Sequence, residues 1–156
     1  MDDLARQLLE TCRTKGLVLA TAESCTGGLI SAALTEISGS SDVFDRGFIT
    51  YSYAAKMDML NVTKTSLAKF GAVSEPVAAE MVRGAINASN ATVAIAVTGV
   101  AGPGSSEAKP EGMVCFGFAG PFGESIETQQ FGAIGRAVVR HATVQHALKR
   151  CCQLLS

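Results

Sequence analysis

The stretch Gly16-Leu17-Val18-Leu19-Ala20-Thr21-Ala22-Glu23-Ser24-Cys25-Thr26-Gly27-Gly28, continued by Leu29-Ile30-Ser31-Ala32-Ala33-Leu34-Thr35-Glu36-Ile37, decides the fold. Residues 16–21 are short, apolar and β-prone, whereas residues 29–37 carry apolar side chains at helical spacing. Between them lies a glycine turn whose backbone N–H groups sit at a helix N-terminus, where negative charge is favoured. Glu23, Ser24 and Cys25 place an acid and two candidate nucleophiles on that turn, so a reaction centre is expected there.

Working outward, Leu4, Leu8, Leu9 and Cys12 form one stripe of a helix over residues 3–15, closed by Lys15 and Gly16. Downstream, Ser38 to Asp42 reads as a loop and Gly47 to Tyr51 as a second buried strand. Tyr53 to Leu60 is predicted helical, Thr63 caps a short helix ending at Gly71, and Ser74-Glu75-Pro76 opens another with a capping serine and an early proline. Val77, Met81, Ala85 and Ile86 give that helix its sheet-facing side. Thr92 to Thr98 is the clearest central strand, and it empties into the loop Gly99 to Ser106. Met113 to Phe118 and Ser125 to Phe131 are joined through Gly120-Pro121-Phe122-Gly123, a connection that suits a hairpin and is too short for a parallel crossover. A last helix from about Ile134 carries Val138, Val139, Ala142, Leu148 and Leu154. The series predicts an α/β fold: one domain over residues 1–156, a three-layer α/β/α sandwich on a mixed, mainly parallel sheet of about five strands with a C-terminal hairpin. In such a fold, sites lie at the C-terminal ends of strands.

At 156 residues, 47% apolar and 17% charged, the chain has the composition of a single packed domain. A net charge of −1 supplies no general field for nucleic acid or an anionic membrane. Cys12, Cys25, Cys115, Cys151 and Cys152 are odd in number and lack C-x-x-C spacing, which argues against a disulfide framework or a zinc site and for a reducing cytoplasm. No charged leader with an apolar core opens the sequence, and no apolar run reaches the roughly 20 residues of a membrane helix. A cytoplasmic protein with no membrane or nucleic-acid partner is therefore expected, and its apolar helices favour a homo-oligomer. His141 and His146 lie about 140° apart around one helix, so a shared histidine site is disfavoured and both read as solvent-facing.

Parallel strands ending at Thr21, Tyr51 and Thr98 would open onto one pocket. The second releases Tyr51-Ser52-Tyr53-Ala54-Ala55-Lys56, whose lysine follows the strand by about one helical turn. With histidine disfavoured, Lys56 is the candidate base for a hydroxyl nucleophile. Its pKa must then fall from about 10.4 towards 7–8, a shift worth roughly 3–4 kcal/mol. Glu23 would oppose that shift unless it points to backbone or substrate. Ser24 reads equally as a helix cap or as the nucleophile. If Thr26 caps instead, Ser24 is free, and the amides of Thr26, Gly27 and Gly28 are candidates for holding an oxyanion, each donor worth about 2.7–4 kcal/mol. Cys25 is the competing nucleophile, against a plain reading as a small core residue. The loop after Thr98 has the composition of a phosphate cradle without Walker or dinucleotide spacing, and Lys109 or Arg136 would supply its charge.

Taken together, Thr21-Ala22-Glu23-Ser24-Cys25-Thr26-Gly27-Gly28, Gly47-Phe48-Ile49-Thr50-Tyr51-Ser52 with Lys56, Gly71-Ala72-Val73-Ser74-Glu75, and Val97-Thr98-Gly99-Val100-Ala101-Gly102-Pro103 with Lys109-Pro110 resemble the CinA carboxy-terminal domain family over nearly the whole chain. The family includes nicotinamide-mononucleotide (NMN) amidases of pyridine nucleotide recycling. The resemblance implies hydrolysis of the nicotinamide carboxamide to nicotinate mononucleotide and ammonia through a serine–lysine pair, with no metal and no cofactor. Lys56 matches the family lysine; Ser24, Ser40 in the Gly39-Ser40-Ser41 loop and Ser52 are all motif positions for the serine, with Ser24 chosen. On this reading Tyr51 orients the lysine, while Thr98, Gly99, Gly102 and Arg136 bind the nucleotide. Lys109-Pro110-Glu111-Gly112 departs from the family's Lys-Pro-Val-Gly, and Ile134-Gly135-Arg136 from its Gly-Asp-Arg, which bears on nucleotide affinity. The alternative is a non-catalytic nucleotide-binding or regulatory module of the same fold.

Overall fold

All five residues of the first strand, β1 (Leu19–Glu23), are buried, as expected for an apolar run covered on both faces of a sheet. The computed structural model describes residues 1–156. Before β1 lies α1 (Asp2–Lys15), and after it come α2 (Leu29–Thr35), β2 (Phe44–Ile49), α3 (Tyr53–Leu60), α4 (Lys64–Phe70), α5 (Glu75–Asn87), β3 (Val93–Gly99), β4 (Met113–Gly120), β5 (Gly123–Gln130) and α6 (Arg136–Leu155). The sheet order is β2-β1-β3-β4-β5. Pairs β1–β2 and β1–β3 are parallel, while β3–β4 and β4–β5 are antiparallel, so the sheet is mixed as expected.

Two apolar layers hold the sheet. On one face Leu8, Leu34, Ile95, Phe116 and Leu148 belong to a cluster joining α1, α2 and α6 to the strands. On the other, Val77, Met81 and Val82 of α5 pack over Ala94 and Ala96 of β3. Thr63 caps α4 by accepting the Ser66 N–H at 3.1 Å. Ser74 occupies the N-cap position of α5, but its hydroxyl donates to the Gly71 carbonyl at 2.8 Å instead of taking a helix amide.

Three expectations shift. β2 starts at Phe44, ahead of the predicted Gly47, and only Phe48 of its six residues is buried, because the strand forms the sheet edge. Val138 is 53% exposed, turned away from the packed side of α6. His146 is half-buried rather than solvent-facing: its ring lies 4.7 Å from that of Phe116, and its Nε2 meets Glu127 Oε1 at 2.6 Å.

The path of the chain places the site. From β1 it passes through α2 to the edge strand, then returns through α3, α4 and α5 on the opposite face to enter β3 on the other side of β1. Successive crossovers on opposite faces leave a crevice outside the carboxyl ends of β1 and β3. No helix is long and apolar enough to cross a membrane.

Candidate functional site

The crevice holds a cavity of about 270 Å3, walled by Ser24 and Cys25 after β1, Tyr51, Tyr53 and Lys56 after β2, the Thr98–Glu107 segment after β3, and Arg136 from α6. Pairing persists past the strand ends: the Thr50 amide donates to the Glu23 carbonyl at 2.9 Å, and the Ser24 amide to that of Val97 at 3.1 Å. These bonds hold Ser24 and the root of α3 side by side. Ser52 then opens α3 by accepting the Ala55 N–H at 3.0 Å, and one turn later Lys56 points inward.

Lys56 is 1% exposed, and its Nζ lies 3.0 Å from Ser24 Oγ and 2.7 Å from the Thr50 carbonyl oxygen. Burial lowers its pKa from the ordinary lysine value to about 8, with the Glu107 carboxylate among the opposing influences. Ser24 is itself nearly buried, so nucleophile and amine meet out of bulk water.

Glu23 does not face this pair. Its Oε1 accepts the Thr26 hydroxyl at 2.7 Å and the Ile30 amide at 2.8 Å, and its Oε2 accepts the Ser31 amide at 3.0 Å and the Ser31 hydroxyl at 2.6 Å. The acid therefore caps α2, a task the sequence reading gave to a hydroxyl, and the electrostatic objection to a neutral Lys56 loses its source. Arg140 holds the turn from the other side, its Nε on the Cys25 carbonyl at 3.1 Å and its Nη2 on that of Thr26 at 3.0 Å. Sequence reasoning missed Arg140, since a helix arginine 115 residues from Cys25 carries no local signal.

The chain matches the CinA C-terminal domain family over residues 1–155. It belongs to that family. This CinA domain is 44% identical to the nicotinamide-nucleotide amidohydrolase PncC of Escherichia coli K12 over 151 residues, covering 96% of this chain and 92% of the relative. It is 47% identical to PncC of Enterobacter agglomerans over 146 residues, 92% of this chain and 89% of the relative. Among solved structures, the competence/damage inducible protein CihA of Agrobacterium tumefaciens superposes with a TM-score of 0.95 at 47% identity, covering 99% of this chain and 95% of that one.

Of the three motif serines in this CinA domain, Ser24 alone touches the lysine. Ser40 sits in a short 3-10 turn ahead of β2, at the opposite end of the sheet, and the Ser52 hydroxyl is occupied as a helix cap. Cys25 packs its side chain into the core, and burial pushes its thiol up to about 12, which keeps it protonated and a poor nucleophile. Tyr51 does not reach Lys56; its hydroxyl accepts from Arg136 Nη2 at 3.0 Å, and the Thr50 carbonyl orients the amine in its place. Arg136 also donates through Nη1 to the Gly102 carbonyl at 2.8 Å. Thr98, Gly99 and Gly102 line the cavity, and the Thr98 hydroxyl ties β3 to the Ala72 carbonyl at 2.8 Å. Thr26, Gly27 and Gly28 stand behind the wall, with the Gly27 amide already given to the Ser24 carbonyl at 3.0 Å. Cys25 is the turn residue next to Ser24 in the wall. No three His, Cys, Asp or Glu side chains converge as a metal cage.

Proposed function

We propose that this chain hydrolyses the carboxamide of NMN to nicotinate mononucleotide and ammonia, with Ser24 as nucleophile and Lys56 as base. The observation that carries the reading is a buried amine with a lowered pKa, 3.0 Å from a serine hydroxyl. The named activity of the PncC relatives supplies the substrate. In its neutral form Lys56 donates one N–H to the Thr50 carbonyl and receives the Ser24 proton on its lone pair. Ser24 Oγ attacks the amide carbon, and the oxyanion forms against the Cys25 amide, with the Thr26 amide behind it. As the C–N bond breaks, protonated Lys56 passes its proton to the departing nitrogen, releasing ammonia and leaving an acyl-serine. Neutral Lys56 then takes a proton from water, hydroxide adds to the ester, and the proton returns to Ser24 as nicotinate mononucleotide leaves. Arg136, beside the 99–106 loop, holds the nucleotide phosphate.

No metal has a part in this scheme, so a chelator leaves turnover unchanged. Incubation with NMN, reading ammonia and nicotinate mononucleotide, tests the activity. Ser24→Ala is expected to lower kcat by about a thousand-fold or more, and Lys56→Met by about a hundred-fold or more. Full turnover in Ser24→Ala would remove the assignment, and tight NMN binding without ammonia from the unaltered chain would make it a binding module. The five cysteines are free, in keeping with action in the cytoplasm. Exposed Ile49 and Met59 favour self-association, to be read by light scattering.

A further inference from the structure

Three acidic or basic side chains line the cavity: Lys56, Arg136 and Glu107. The first two have work in the reaction; Glu107 does not. Its placement is nonetheless deliberate in physical terms. Glu107 and Ala108 both take left-handed backbone conformations, φ 53° and 59°, which residues with a Cβ adopt at an energetic cost. The surrounding contacts enforce them. Ser106 and Lys109 bridge across the turn, and Lys109 Nζ donates to the Phe70 carbonyl at 3.1 Å and the Val73 carbonyl at 2.5 Å. The Glu107 carboxylate accepts the Tyr53 hydroxyl on one oxygen and the Ala72 amide, at 2.9 Å, on the other. Gly71 leaves it room, since a Cβ there would collide with the carboxylate.

We infer that Glu107 is a specificity-determining residue, its carboxylate selecting the positively charged pyridinium ring of the substrate while Arg136 takes the phosphate. The inference rests on the amidase reading of the cavity. Latching two loops together needs only a neutral group: a glutamine would accept the Ala72 N–H and donate to the Tyr53 oxygen. A full negative charge is worse than neutral for the chemistry, because it works against the loss of the Lys56 proton. A ligand cation accounts for the charge. NMN is such a ligand, cationic at the ring and anionic at the phosphate, and the cavity is charged in the complementary sense, Glu107 on the Tyr53 hydroxyl and Arg136 on that of Tyr51.

The test compares NMN with its neutral-ring counterpart, the 3-carbamoylphenyl ribonucleotide, by calorimetry in a Ser24→Ala background so that neither is consumed. With Glu107 present, NMN is expected to bind about five-fold more tightly than the neutral ring, and Glu107→Gln to collapse that ratio to within about two-fold, chiefly by weakening NMN. Equal affinities with Glu107 in place, or parallel weakening of both ligands in Glu107→Gln, would overturn the inference. The first comparison needs no change at position 107, so it decides even if that variant is unstable. Ammonia release from NMN by the unaltered chain is read separately. Release without a charge preference removes the role of Glu107 alone, whereas a charge preference without release removes the amidase reading and leaves cation selection standing.

Discussion

A lysine amine at 1% exposure costs stability when charged, and the lowered pKa of Lys56, about 8, measures that cost. The unfolded chain holds this proton more tightly than the folded one. Between pH 8 and the ordinary lysine pKa of 10.5, Lys56 therefore takes up a proton on unfolding, and its own contribution to stability rises with pH through that window. Below pH 8 both states are protonated and the deficit, on the order of 3 kcal/mol, is fully present. The buried cysteines, whose thiol pKa values burial raises from 9.0, act in the opposite sense at high pH. The lysine is therefore read as a difference: in denaturant melts across pH 7–11 the unfolding free energy of the unaltered chain relative to Lys56→Met should rise with pH. Catalysis runs in the same direction, since only the neutral amine accepts the serine proton. The kcat/KM for NMN is expected to climb with pH and reach half its plateau near pH 8, set by Lys56 in the free enzyme. A profile flat from pH 6 to 9 would contradict Lys56 as base.

Helices position this residue. α5 brings Gly84 against α3, where a Cβ would meet the Leu60 carbonyl carbon at 2.8 Å and its Cα at 2.9 Å. In an exposed helix, Gly→Ala gains about 1 kcal/mol. Here Gly84→Ala must push α3 away and Lys56 with it, so a loss of about 1–3 kcal/mol and a lower kcat are expected from thermal melts and ammonia assays. At the turn after β1, Glu23 and Arg140 pull from opposite sides, the carboxylate on the start of α2 and the guanidinium on the Cys25 and Thr26 carbonyls. Glu23→Gln sets an NH2 among donors and should cost about 2–4 kcal/mol. Arg140→Ala frees the Cys25–Thr26 peptide, which carries the Thr26 amide directly after the Cys25 amide, and kcat should fall about ten-fold or more with little change in KM. A change confined to KM would instead place Arg140 in substrate binding.

For the molecule as a whole, the sheet is a rigid floor that fixes three loops at one edge. Phe116, fully buried at its centre, stacks parallel to Phe118 at 6.2 Å and packs on His146. Phe116→Ala should lower unfolding free energy by about 3–5 kcal/mol in denaturant titration, while the residual folded protein keeps its KM, because the cavity lies beyond the strand ends. The two apolar layers are unequal: one joins three helices, the other rests chiefly on α5, with α3 and α4 packed against it. The lysine thus rides on the thinner layer.

Element types were written in local patterns. The apolar runs of β1 and β3 read as interior strands, the four residues from Gly120 to Gly123 suit antiparallel neighbours, and the motifs around Ser24 and Lys56 carry the family resemblance in the sequence itself. Edge placement was not legible, because the burial of β2 depends on which strand lies beside it. Nor was the choice among Ser24, Ser40 and Ser52, since spacing along a chain says nothing of which hydroxyl meets an amine 32 residues from Ser24. Glu23 turning to cap α2, Tyr51 joining Arg136 rather than Lys56, and Glu107 reaching the cavity wall all rest on contacts between elements far apart in sequence. Local sequence determined what each segment becomes, because hydrogen bonding and apolar periodicity act over a few residues. Only tertiary structure decided which polar groups meet and which amine loses its charge, because desolvation and pairing depend on everything packed around them.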